Sequence, residues 1–244
     1  MRLFNTAYLH LSKAVVVLAM FTLVAFYPRY LTVITSPLPW YMHAHFVLMI
    51  IWMSMLFLQP RFVGKKDFAK HRALGRVSYL LVPLILISSY LMIRFGYYRI
   101  LAELQESGTM TADEAMFQAR INIGLGPISF FALLIFYPLA IVFRKNPQVH
   151  ATYMVGTALS IVGPILDRAL YQIADWYRFP TYPFEYVSFF LVDMVLVVLL
   201  VSNYQKGLSL KANQVCLFIF VSCQVVYAFF LDSWWWQGFV GWVL

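Results

Sequence analysis

The chain has 244 residues, 62% of them hydrophobic and only 11% charged, with a formal net charge of +8 and a mean hydropathy of +0.76. Soluble domains carry roughly 45–50% apolar and about 25% charged residues, so this chain cannot cover a water-facing surface; a soluble enzyme and a disordered chain are both excluded. The basic excess requires no nucleic-acid partner, because Lys and Arg at the cytoplasmic ends of membrane helices produce it equally well.

Seven apolar stretches are long enough, at ~17–25 residues each, to cross a hydrocarbon core about 30 Å thick. They lie near 8–27, 41–59, 73–95, 120–143, 151–174, 185–204 and 214–231. Lipid offers no partner for open backbone groups, so each span must be helical. The expected fold is all-α: a polytopic transmembrane helix bundle of seven spans forming a single domain over 1–244.

The first stretch resembles a signal peptide in position. It lacks a small-x-small cleavage site and runs into Phe26, Tyr27 and Pro28, so it is expected to be a retained helix. The second begins YMHAHFVLMIIWMSMLFLQP. His43 and His45 are two residues apart and point about 200° away from each other on a helix, so they cannot chelate one ion from one face. His45, Met49, Trp52, Leu56 and Gln59 instead follow helical spacing, as a stripe with His, Trp and Gln at its polar positions. A packing seam with interfacial histidines is the alternative reading. A basic loop, RFVGKKDFAKHR, leads to the third span, which opens at His71 and carries Pro83.

The fourth span has Asn122 near its outer end, followed by Gly124, Gly126 and Pro127. The fifth opens at His150, carries Pro164 and holds Asp167 and Arg168 about six residues from its outer end. Asp193 lies nine residues into the sixth, about 13 Å below the surface at 1.5 Å per residue. Cys216 and Cys223 of the seventh share a helix face and imply no disulfide. In the tail SWWWQGFVGW, Trp234, Trp235 and Trp236 are expected at the outer headgroup level.

Orientation follows from the loops. Every lysine falls on one side, with Arg61, Arg72 and Arg144, whereas Glu103, Glu106, Asp113, Glu114 and Asp175 fall on the other. The positive-inside rule then predicts a cytoplasmic N-terminus and an external C-terminus. Residues 41–95 and 120–174 show a faint parallel repeat: helix, basic loop, histidine, then a proline 12–14 residues on.

Polar groups are expensive in lipid, so each intramembrane one is a candidate for function. His43, His45, Trp52, Asn122, Asp167, Arg168 and Asp193 are expected to meet in one outer-half pocket, with Arg168 neutralised by Asp193 or by Asp167. Interhelical hydrogen bonding by a protonated Asp193 is the plainer alternative. On the cytoplasmic side His71 and His150, with His10 near the start of the first span, open helices that run in the same direction. Two imidazoles from facing helices are what haem b needs as axial ligands; interfacial histidines beside Lys and Arg are the alternative. No nucleophilic triad, phosphate loop or zinc motif is present.

HAHF…W…QP followed by HRALGR, and later VHATYM…GP, carry a resemblance over about 40–165. In His71, Arg72, Gly75 and Arg76, then His150, Tyr153 and Met154, the chain resembles an uncharacterised bacterial family of multi-pass membrane proteins with a His-Arg-x-x-Gly-Arg motif. It is more distantly similar to the two-haem membrane cytochromes b. That similarity implies at most one haem, on His71 and His150, since the fourth span has no histidine to oppose His45.

The functional expectation is thus a protein of the bacterial inner membrane with an intramembrane polar pocket, linked to haem or to a quinone in redox chemistry. A carrier or binding protein for another small amphiphile, and an accessory subunit packed against other membrane subunits, are the alternatives. Lipid is the expected surrounding, and no nucleic acid is expected.

Overall fold

The computed structural model describes residues 2–28, 30–180 and 182–244, with side chains from residue 11 onward. Among them every regular element is helical: α1 (Arg2–Phe26), α2 (Trp40–Gly64), α3 (Phe68–Glu106), α4 (Ala112–Asn122), α5 (Leu125–Val142), α6 (Pro147–Leu159), α7 (Val162–Tyr177), α8 (Phe184–Gln205), α9 (Lys211–Phe229) and α10 (Trp234–Val243). A short 3-10 turn, Leu31–Val33, lies between α1 and α2.

Six helical stretches are long and apolar enough to cross a membrane: α2, α3, α4–α5 together, α6–α7 together, α8 and α9. In α1 the described apolar part, Leu11–Phe26, is shorter than these six. The fourth and fifth spans are each interrupted. Pro127 has no N–H to give Ile123, and the chain tightens there, Gly124 N donating to Ile121 O (2.9 Å) and Gly126 N to Ile123 O (2.9 Å). Pro164 does the same before α7, where Ile161 N turns to Ala158 O (3.3 Å) and the Ser160 hydroxyl takes up Thr157 O (2.8 Å).

The largest departures from the boundaries read in the sequence are at the end of α3 and in the tail. α3 was expected over 73–95 but has 39 residues, about 58 Å at 1.5 Å per residue, well beyond a ~30 Å core. Its polar end lies past the apolar run and carries an Arg99–Glu103 pair (3.8 Å) at i,i+4. The tryptophan-rich tail is itself a helix, α10, started by Ser233, whose hydroxyl accepts from Trp236 N (3.4 Å). Trp234 is 86% exposed, as a belt residue would be, but Trp236 is 3% exposed and belongs to the core. It packs with Tyr97, Ile123 and Leu231, and its indole N–H donates to Arg120 O (3.2 Å).

The chain forms two compact units. Unit 1 comprises residues 1–89 and 165–184, that is, α1, α2, the first part of α3 and most of α7. Here α1 lies along α2, joined by Ser12 Oγ to Phe57 O (3.0 Å) and by a Thr22 hydroxyl contact to Met53 Sδ (3.8 Å). Unit 2 comprises 90–164 and 185–244. In it α5, α6 and α9 pack around Phe136, which is fully buried, stacks on Phe220 at 5.1 Å and lies against Gly156. Both cysteines are free.

Candidate functional site

Unit 1 holds the polar residues of α2 and those of α7. The expected stripe of α2 faces inward: Trp52 is 1% exposed, Leu56 is buried and His45 half-buried, while Val47, Ile50, Ile51 and Leu58 of the opposite face are exposed. His45 Nδ1 lies 3.0 Å from the Ser88 hydroxyl of α3. Ser88 gives its single proton to Ile85 O (3.0 Å), so its oxygen is left to accept from His45 Nδ1–H. A neutral His45 thus carries its proton on Nδ1 and keeps a lone pair on Nε2.

Arg168 of α7 acts electrostatically on this ring. Its guanidinium also lies over the Phe26 ring of α1 at 6.0 Å. Beside it the buried Asp167 carboxylate accepts from the Arg168 backbone N–H (2.7 Å) and lies 3.9 Å from the guanidinium. Of the two pairings expected for Arg168, the one with Asp167 is therefore present. His43, on the other side of α2, shares a 2.8 Å hydrogen bond through Nδ1 with the Tyr30 phenol, which also lies against Phe46 at 4.5 Å. Burial pushes the Tyr30 pKa up, so the phenol stays protonated.

The other two expected pocket residues belong to unit 2. Asp193 of α8 accepts from the Gln224 side chain of α9 (2.9 Å). Asn122 is exposed at the last turn of α4. Ser88, Tyr30 and Gln224 were not foreseen. Their only signal in the sequence is a polar group inside or beside an apolar run.

The inner histidines have local roles. Arg144 N turns back to Ile141 O (3.2 Å), which leaves the Ala140 carbonyl at the end of α5 to the His150 Nδ1–H from α6 (2.8 Å). At the corresponding place in unit 1, the Gln59 side chain of α2 donates to His71 O of α3 (3.2 Å). Each basic hairpin is thus tied near its histidine. The side chain of His10 lies outside the described residues. Among the described residues no group of three or more His, Cys, Asp or Glu side chains is placed to hold a metal ion. No family model, no curated protein and no solved structure matches the chain.

Proposed function

We propose that this is a seven-span protein of the bacterial inner membrane, N-terminus inside, which binds the polar head of a small amphiphile of the quinone class at the His45–Arg168 cluster. The observation that carries this reading is the fixed His45 ring. Ser88 accepts from Nδ1–H, and Nε2 is left as an acceptor on a ring that feels the positive charge of Arg168. A quinol hydroxyl would donate to Nε2, and a quinone carbonyl would accept from Arg168.

Titrating a short-chain benzoquinone into detergent-purified protein, read by tryptophan fluorescence and calorimetry, tests it. His45→Ala and Arg168→Gln should each weaken binding about tenfold, the loss of roughly one hydrogen bond. Equal affinity in both variants, or no saturable binding in the parent, rejects the reading.

His150 favours a second reading. A ring whose Nδ1–H is held by a backbone carbonyl is oriented as metal-ligating histidines commonly are. A Soret band in the purified protein, lost in His150→Ala, supports it; a colourless protein eliminates it.

A further inference from the structure

Unit 2 contains a half-open crevice of about 280 Å³ that the quinone-class reading does not use. Its walls come from three places: Tyr90 and Ile93 of α3, Pro127 and Phe131 of α5, and Phe239 and Val240 of α10. The lining is wholly apolar. An apolar cavity of about 150 Å³ stays dry and accepts benzene. This crevice has nearly twice that volume and is open on one side, so in a membrane its apolar walls favour hydrocarbon over water.

Two arginines flank it. Arg120 of α4 is three residues before Ile123, another residue of the wall, and reaches under α10. Its Nη1 donates to Gln237 O (3.2 Å), and a Cβ added at Gly241 would come within 2.9 Å of its Nη2. The close approach of backbone to guanidinium is what glycine permits there. Arg120 Nε is buried and has no hydrogen-bond partner among the described residues. Arg94 follows the wall residue Ile93 and interacts with both Tyr90 and Tyr98, its guanidinium 5.6 Å from the Tyr98 ring centroid. The two phenols are in turn fastened to α10, Tyr90 to Val243 O (2.8 Å) and Tyr98 to Leu244 O (3.2 Å). Neither arginine forms an ion pair with an acid among the described residues.

Two positive charges with no Asp or Glu partner among the described residues, beside an apolar crevice, define the complement: a hydrocarbon chain ending in an anion. We propose that unit 2 holds an anionic phospholipid, one acyl chain in the crevice and the phosphate on Arg94 and Arg120. In a membrane the lipid itself is present at high concentration, and a guanidinium makes charge-assisted hydrogen bonds to phosphate. The bound lipid would supply the counter-charge that no Asp or Glu among the described residues does, and would seat α10 against α3 and α5.

The test is thermal unfolding of the full-length protein in mixed micelles of uncharged detergent with phosphatidylglycerol, with phosphatidylcholine, or with inorganic phosphate. At about 100-fold over Kd, a lipid that binds only the folded state should raise Tm by about 5–10 °C. Phosphatidylglycerol is expected to do so, and the other two additives are not. Arg120→Gln and Arg94→Gln should each abolish most of the phosphatidylglycerol-specific rise. Ile93→Phe, which fills the crevice without touching a charge, should abolish it as well while leaving the lipid-free Tm within a few degrees. Equal stabilisation by phosphatidylglycerol and phosphatidylcholine overturns the proposal, as does an undiminished difference in Ile93→Phe. A full effect from inorganic phosphate would show an anion site with no role for the chain and overturns it too. None of these outcomes depends on quinone binding at His45, which lies in the other unit.

Discussion

A single hydroxyl proton decides what His45 can do. Ser88 spends it on Ile85 O, and the imidazole is thereby held with Nδ1–H toward Ser88 and its second nitrogen open. Without that acceptor the ring would be free to take either tautomer, and the acceptor at Nε2 would be lost part of the time. The same economy governs Asp67, in the loop before α3. Its carboxylate accepts from the Lys70 backbone N–H (3.1 Å) and pairs with the Lys70 ammonium (2.9 Å), which holds its pKa below the ordinary 3.8. A depressed folded-state pKa contributes stability that is complete above the unfolded value and is lost as pH falls through the folded one. Amide exchange at Lys70 and His71 should therefore speed up, relative to the chain average, as pH drops below about 3.8. In Asp67→Asn that additional acceleration should vanish; its persistence would show that the cap is not titrating.

Among the helices, α5 and α6 approach closely because one residue has no side chain. A Cβ on Gly156 would come within 2.9 Å of the Phe136 ring, which is fully buried and stacked on Phe220. Neither ring can move without disturbing the other, so Gly156→Ala should destabilise the protein by about 1–3 kcal/mol through overpacking. Phe136→Leu should relieve part of that loss, giving a non-additive double mutant in detergent melts. An unchanged Tm in Gly156→Ala would mean that the two helices are loosely packed. At this scale the sequence was easiest to read where apolar runs were long. The second, sixth and seventh spans agree with α2, α8 and α9 to within five residues at each end. It was hardest to read where charge overlay helix: Arg99, Glu103 and Glu106 resemble a loop by composition, yet α3 continues through them. Tryptophans concealed α10, because an interfacial belt and a packed helix use the same residue.

In the whole molecule, polarity inside an apolar chain was legible, but its partners were not. His45, Asp167, Arg168 and Asp193 stand out because charge is costly in lipid. Ser88, Gln224 and Tyr30 are recognisable only when packing brings them to those groups, and Arg94 and Arg120 pass for ordinary ends of spans. Six stretches have the length and composition to cross a membrane, and the lysine asymmetry makes α1 the seventh crossing of the proposed topology. In right-side-out vesicles of a cysteine-free background, an added N-terminal cysteine and Lys66→Cys should label only after permeabilisation, and Trp234→Cys without it. Labelling of the N-terminal cysteine from outside would remove α1 from the count.

The proposed quinone-class site is tested most directly by photolabelling with an azido-benzoquinone, followed by peptide mapping. The label should fall on α2 around His45 and on α7 around Arg168, be displaced by excess unlabelled quinone, and disappear in His45→Ala. Label confined to other helices, or label at α2 that excess quinone does not displace, would contradict it.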